Sequence, residues 1–284
     1  MEQKLINRFN KAGLKCPVCG AKTELENEKT LFCKGEKKHT YDISASGYIN
    51  LASPKQCGGG DTKSAVRARS EFLDAGYYQP IADKIVEILS KYTDGNITVI
   101  DAGCGEGYYT VQMAKNNNIA IGFDISKFAV EAAAKRAKRA GIDNVAFCVA
   151  SVYTMPVFDE SADAVVNVFA PCVESEYFRV LKNNGILLVV HAGREHLMGL
   201  KHALYEDTYE NDTRADLPAE LELLCEENLK YSIDVIGNES IKALFEMTPY
   251  YWRTSQDDAK KLDGVERLTT DIDIIFSIYK KLSR

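Results

Sequence analysis

The sequence predicts an α/β protein: a doubly wound parallel sheet preceded by a small cysteine-rich module. Three observations carry the prediction. From residue 97 onward, short apolar runs rich in branched residues alternate with segments of helical character, as strands joined by crossover helices do. The first of those runs ends in a glycine-rich turn, "DAGCGEGYYT", that leads into a helix. The opening segment "CPVCGAKTELENEKTLFCKGEKKHTYD", from Cys16 to Asp42, holds three of the eight cysteines and the only histidine of the first 190 residues.

A chain of 284 residues, 45% hydrophobic, is long enough for one large domain with a small one attached. The net charge of −6 conceals a split. Residues 1–70 carry 13 Lys+Arg against 7 Asp+Glu, which leaves a net of −12 on the rest. A basic arm on an acidic body suits a polyanionic partner, although a solvated lysine-rich module gives the same count. No run of about 18 apolar residues occurs, so no span is expected in a membrane. The start "MEQKLINRFN" lacks the apolar stretch and cleavage site of a secretion leader. The cysteines are therefore expected in a reducing cytoplasm, where clusters of them serve metals or catalysis.

Cys16-x-x-Cys19, then Cys33, then His39 offer three thiolates and an imidazole, the donor set of a closed structural zinc site. The turn between the first pair lets two sulfurs converge on one ion. Five residues separate Cys33 from His39, at the wide edge of the usual spacing. Between the pairs, Thr23–Leu25 and Thr30–Phe32 read as a short hairpin. So short a segment builds no core alone, and a bound metal is expected to supply its folding energy. A redox Cys-x-x-Cys needs a strand–helix context that is missing here. Lys11, Lys15, Lys22, Lys34, Lys37 and Lys38 surround the cluster, and basic zinc knuckles of this kind recognise RNA. Residues 1–52 are thus expected to be a zinc-binding RNA-recognition module.

"ASPKQCGGGDTKS" reads as a flexible connection, with Gly58, Gly59 and Gly60 at its centre. The basic helix after it carries Arg67 and Arg69, either facing a phosphate or simply exposed. Gly76 ends that helix, and Pro80 opens another that reaches Leu89. Residues 53–75 are expected to act as linker and hinge helix, and 76–284 as the main domain.

In that domain "ITVI" is apolar and β-branched, suited to a central parallel strand, and it ends at Asp101. The turn "GCGEG" follows, then a helix from about Tyr108. A second strand, "NIAIGFDIS", ends in Asp124, placed to chelate ribose hydroxyls. Ser126 caps the helix "KFAVEAAAKRAKRAG", closed by Gly141. "NVAFCVAS", ending at Ser151, is a third strand; a fourth runs toward Pro171; "ILLVV" is a fifth. Such a sheet holds its ligand at the strand carboxyl ends.

The turn distinguishes the ligand. A dinucleotide fold offers its helix N-terminus to a pyrophosphate. Here Asp101 stands before the turn and Glu106 inside it. Two carboxylates repel a pyrophosphate but suit the sulfonium and ammonium of S-adenosylmethionine. Asp101-x-Gly103-x-Gly105-x-Gly107 is the first motif of class I (Rossmann-like) S-adenosylmethionine-dependent methyltransferases, and that fold is expected.

Several stretches together resemble the RlmA/RrmA family of large-subunit (23S) rRNA guanine-N1 methyltransferases over nearly the full length: "HTYDISASGYINL", "RARSEFLDAGYYQP", "DAGCGEGYYT", "FDISKFAVEAAAKR", "FCVAS", "APC", "HLMGLK" and "MTPYYWR". The resemblance implies methylation of N1 of a guanine in a 23S rRNA hairpin, with the zinc module helping to grip the RNA. It implies that Tyr78 and His196 join Asp101, Gly103, Gly105, Glu106, Asp124 and Ser151 around the cofactor. In this family the gap before the histidine ligand is narrower than Cys33 to His39.

Removal of the guanine N1 proton and alignment of the methyl group are the chemical tasks. Asn167 is a candidate for a base-edge hydrogen bond, Arg194 for stabilising a developing oxyanion, and His191 or His196 for proton transfer. Phe169, Tyr250 and Trp252 are candidates for stacking on a looped-out base. Pro171-Cys172 supports a rival reading, an RNA cytosine-C5 methyltransferase with Cys172 as nucleophile. A second rival is a zinc-ribbon RNA-binding protein with an inactive cofactor fold. Toward the C-terminus an acidic stretch, "ALYEDTYENDTRADLPAELELL", is expected to face away from RNA. A helix, an aromatic turn at Pro249 and a final strand "DIDIIFSIYKKL" follow, and a homodimer is a further expectation.

Overall fold

The computed structural model describes residues 9–10, 12–26, 29–53, 60–115, 118–208, 210–211 and 221–283. Three strands, β1 (Thr23–Glu26), β2 (Thr30–Cys33) and β3 (Thr40–Asp42), form a small antiparallel sheet. The first two are the expected hairpin; β3 is three residues long, too short for its alternation to mark a strand in the sequence. Next come β4 (Ile49–Asn50), α1 (Lys63–Asp74), α2 (Gln79–Tyr92), β5 (Thr98–Ala102), α3 (Tyr108–Ala114), β6 (Ile119–Asp124), α4 (Lys127–Ala140) and β7 (Val145–Val149). The remainder is β8 (Ala162–Val168), α5 (Glu174–Val180), β9 (Leu181–Ala192), α6 (Met198–Leu204), β10 (Leu221–Ile236), α7 (Asn238–Glu246) and β11 (Arg267–Lys281), with short helical turns between the last two.

The large sheet has eight strands in the order β10-β11-β9-β8-β5-β6-β7-β4. From β9 to β4 neighbours run parallel, while β11 lies antiparallel between β9 and β10. The central strands are apolar because both of their faces are covered: all five residues of β7 and four of five in β5 are buried. Strand order reverses between β5 and β8, so the crossovers diverge there and open a crevice at their carboxyl ends. The helices are bounded as their ends dictate. The Ser126 side chain accepts from the Ala129 N–H at the start of α4, and Gly141 closes it at φ 68°.

The expected boundary at residue 52 is not where the structure divides. Ile49 and Asn50 pair with Cys148 and Val149, so β4 belongs to the large sheet. Phe9, Leu14, Leu25 and Leu31 share one apolar cluster with Ile100, Ile121 and Leu187 on a face of that sheet. The N-terminal module therefore borrows its core from the main domain, at about 1.5–3 kcal/mol per buried side chain. The helix expected as a hinge, α1, is likewise built in: it packs on α7 and α4, with Phe72 and Leu73 buried. Most of the glycine-rich connection, including Gly58, Gly59 and Cys57, lies outside the described residues, as does Lys11 and much of the acidic stretch after Asn211.

Candidate functional site

At the carboxyl end of β5 the chain reverses through three glycines in the left-handed region: Gly103 (φ 87°), Gly105 (φ 52°) and Gly107 (φ 75°). A Cβ on Gly103 would stand 2.4 Å from the Ala170 Cβ, and one on Gly107 would stand 2.7 Å from the Ala133 Cβ. The turn thus touches the segment after β8 on one side and α4 on the other.

Three carboxylates ring this turn. Asp101 is buried and accepts from the Thr110 hydroxyl at 2.5 Å. Burial raises its pKa; the Thr110 bond opposes that, Asp124 and Glu106 add to it, and the net is about 7. Glu106 is also buried and also raised, chiefly by desolvation, with Arg69 opposing. Asp124 accepts from the Gly105 N–H at 3.1 Å and the Ser126 N–H at 2.8 Å. Ser151 follows β7, beside Asp124 in space, since the Ala150 N–H donates to the Asp124 carbonyl at 3.0 Å.

Two basic side chains reach the same turn. Arg136 Nε donates to the Glu106 carbonyl at 3.1 Å and its Nη1 pairs with Asp74. Arg69 turns inward from α1: its Nη1 lies 2.5 Å from Asp61 Oδ2 and 3.9 Å from Glu106 Oε2. Arg67 stays on the surface, paired with Glu71. The Asp61 carbonyl accepts from the Ser126 hydroxyl at 2.8 Å, which seats residues 60–62 on the start of α4. Neither Asp61 nor Thr110 carried any signal in the sequence beyond polarity. Arg69 was visible only as one of two helix arginines.

Beyond the turn lies an aromatic group. Tyr78, fully buried, is 6.3 Å from Phe169 and 6.2 Å from His196 between ring centres. Phe169 stacks on His196 at 5.9 Å and 19°, yet 46% of it remains exposed. Its φ of 53° is strained for a bulky residue and directs the ring outward. The Asp273 N–H donates to His196 Nδ1 at 3.3 Å, which leaves the proton on Nε2, 3.3 Å from the Tyr78 hydroxyl. Burial pushes the His196 pKa down to about 4, against the pull of Asp273.

An adenosyl cofactor fits this rim. The carboxylates complement its cations, the glycine backbone leaves room for close approach, and the Tyr109 hydroxyl is buried without a partner among the described residues. Its electrostatic neighbours include Tyr78 and Glu106, so the orphan lies at the site.

At the other end of the chain Cys16, Cys19, Cys33 and His39 bring their ligand atoms within 4.8 Å of one another. Cys16 Sγ lies 3.4 Å from His39 Nδ1, Cys19 Sγ 3.7 Å from it and 3.2 Å from Cys33 Sγ. A tetrahedron with bonds of about 2.0–2.3 Å has edges of about 3.5 Å, so the cluster fits a zinc ion. Burial raises the Cys16 thiol, but bonds from Tyr41, the backbone of Cys19 and Val18, and Cys19 bring it down to about 6, toward the thiolate a metal needs.

A methyltransferase-domain family model matches residues 93–265. A Bacillus subtilis protein, provisionally named 23S rRNA (guanine-N(1)-)-methyltransferase YxjB, is 30% identical over 280 residues, 93% of this chain and 96% of its own. A Streptomyces fradiae protein named 23S rRNA (guanine(748)-N(1))-methyltransferase is 29% identical over 282 residues, 95% of this chain and 97% of its own. The chain belongs to the family of 23S rRNA guanine-N1 methyltransferases.

Within this guanine-N1 methyltransferase, several residues expected to be catalytic are otherwise engaged. Asn167 is buried; its amide donates to the Tyr177 hydroxyl at 2.8 Å and the Pro171 carbonyl at 3.1 Å, which braces the loop after β8. Arg194 has a 71% exposed side chain and pairs with Glu210, a solvent-facing position. His191 contacts Ser277 within the sheet. Tyr250 donates to Asn211, whereas Trp252 is 74% exposed on a helical turn. The rival cysteine mechanism is not favoured: desolvation and Glu174 push the Cys172 thiol up to about 11, which holds it protonated. The inactive-fold rival is not favoured either, because the full-length relatives are named as methyltransferases.

Proposed function

We propose that this protein transfers a methyl group from S-adenosylmethionine to N1 of a guanine in a 23S rRNA hairpin, in the cytoplasm. The observation that carries the reading is the contact between two parts of the rim. The glycine turn touches Ala170, and the next residue back, Phe169, presents an open ring. A donor held on the turn and a base stacked on Phe169 would be neighbours. The names of the two full-length relatives supply the acceptor, a 23S rRNA guanine.

When bound, the cofactor supplies an electrophilic methyl group on its sulfonium. The residues divide the remaining work. Asp101 and Glu106 face the cationic end, and Asp124 with Ser151 lies toward the ribose. Gly103 and Gly105 let the backbone approach closely. Phe169 gives the flipped guanine a stacking face and helps align N1 in line with the methyl group. His196 stays neutral and holds Tyr78 and Phe169 in place, so it positions the shelf and takes no proton in this arrangement. Cys16, Cys19, Cys33 and His39 hold a structural zinc ion, which stiffens a basic knob for the RNA backbone.

Primer extension on 23S rRNA tests the reading, because methylation at N1 blocks Watson–Crick pairing. RNA treated with the protein and S-adenosylmethionine is expected to give a new stop one nucleotide before a guanine. The same stop pattern with and without the protein would overturn it.

A further inference from the structure

We infer that Arg69 is the group that receives the carboxylate of the cofactor's methionine moiety. The inference rests on the rim being the S-adenosylmethionine site and names a residue for the one part of the cofactor that the carboxylates repel. Asp61, Asp101, Glu106 and Asp124 surround or approach the turn, and each disfavours a further negative charge. In many nucleotide sites backbone amides receive the anion. Here those amides are occupied. The Gly103 and Cys104 N–H groups donate to the Phe123 carbonyl, Gly107 to the Cys104 carbonyl, and Gly105 to the Asp124 carboxylate. The Glu106 N–H serves its own side chain.

Arg69 meets the requirement by position. Its Nη1 is the one atom within 4 Å of the point where a Cβ on Gly105 would stand, at 3.5 Å. Both of its ion pairs run through Nη1, to Asp61 and to Glu106. A guanidinium carries five donors in a planar fork, so a carboxylate is accommodated beside Asp61. Arg136 stands farther from that point: no atom of it lies within 4 Å, and its Nε and Nη1 serve the Glu106 carbonyl and Asp74. The Asp61–Arg69 pair holds the fork in place before the ligand arrives, since residues 60–62 are fixed on Ser126. The orphaned Tyr109 hydroxyl marks the same region as one that lacks a polar partner.

Calorimetric titration with two ligands separates this role from others. S-adenosylhomocysteine carries the carboxylate; its decarboxylated counterpart, the aminopropylthio adenosine, is otherwise identical. The wild-type protein is expected to bind the first about 30-fold more tightly, the scale of a partly buried charge-assisted pair. Arg69→Gln is expected to reduce that ratio to about threefold or less while leaving affinity for the decarboxylated ligand within about threefold. Arg69→Lys, which keeps the charge and loses the fork, is expected to fall between them. Equal weakening toward both ligands in Arg69→Gln would assign Arg69 a purely structural role and overturn the inference. So would a wild-type protein that binds both ligands equally well, a comparison that needs no variant to fold. Failure of the wild-type protein to bind either ligand would overturn the cofactor site itself.

Discussion

Gly103 adopts φ 87°, and a methyl group built on it would stand 2.4 Å from the Ala170 Cβ. Gly103→Ala therefore combines backbone strain with a clash against a short, rigid side chain. It is expected to cost about 2–3 kcal/mol, taken from stability or from cofactor affinity. Thermal melts and S-adenosylhomocysteine titration of the variant read both, and wild-type values in both would contradict the packing described. Asp101 makes a second prediction at this scale. Burial and two neighbouring carboxylates disfavour its charge and push its pKa up from an ordinary 3.8 to about 7. A cationic ligand binds the ionised form. Affinity for S-adenosylmethionine should therefore rise as pH climbs toward about 7, by up to about tenfold per unit below it, and level off above. Titrations from pH 5.5 to 8.5 check this, and a flat profile would contradict it. Single residues of this site were unequally legible. Asp101 and Asp124 announce themselves because they stand at the ends of apolar strands, and Glu106 because it is a carboxylate inside a glycine turn. Arg69 does not, since two helix positions separate a half-buried arginine from an exposed one such as Arg67, and only packing decides which turns inward.

The elements were more legible than their grouping. Apolar runs gave β5, β6, β7, β8 and β9 directly, because both faces of a parallel sheet must be covered. β10 escaped notice: it is an edge strand whose first half, "LELLCEEN", is acidic and irregular with Leu223 and Leu224 exposed, and the alternation of Leu229, Tyr231, Ile233 and Val235 with polar residues shows only in its second half. The N-terminal hairpin was visible, but not its attachment. Leu14 bridges to Val157 and Leu31 is fully buried against the sheet, contacts hundreds of ångströms of chain contour away that no local pattern encodes. That attachment sets the expected result of metal removal. The protein should carry about one zinc per chain by elemental analysis, and Cys33→Ser should lose it. RNA affinity should fall, while S-adenosylhomocysteine affinity stays within about threefold, because the shared apolar core persists without the ion. A Cys33→Ser protein that retains stoichiometric zinc, or a wild-type protein without any, would contradict the metal assignment.

At the scale of the molecule, a basic, cysteine-bound module lies on one face of an acidic α/β body, and the two share a core. The crevice at the reversal of strand order holds the carboxylate-lined turn on the β5 side and the Phe169 shelf on the β8 side. Residues 60–62 and α1 tie the segment after the module to the same crevice through Asp61 and Arg69. Among the described residues no helix is long and apolar enough to cross a membrane. The central claim is that this crevice sets a methyl donor against N1 of an rRNA guanine. The most direct measurement incubates unmodified 23S rRNA with the protein and S-adenosylmethionine carrying an isotopically labelled methyl group, then digests the RNA to nucleosides for mass spectrometry. The label is expected in 1-methylguanosine; label in 5-methylcytidine, or in no nucleoside, would contradict the account.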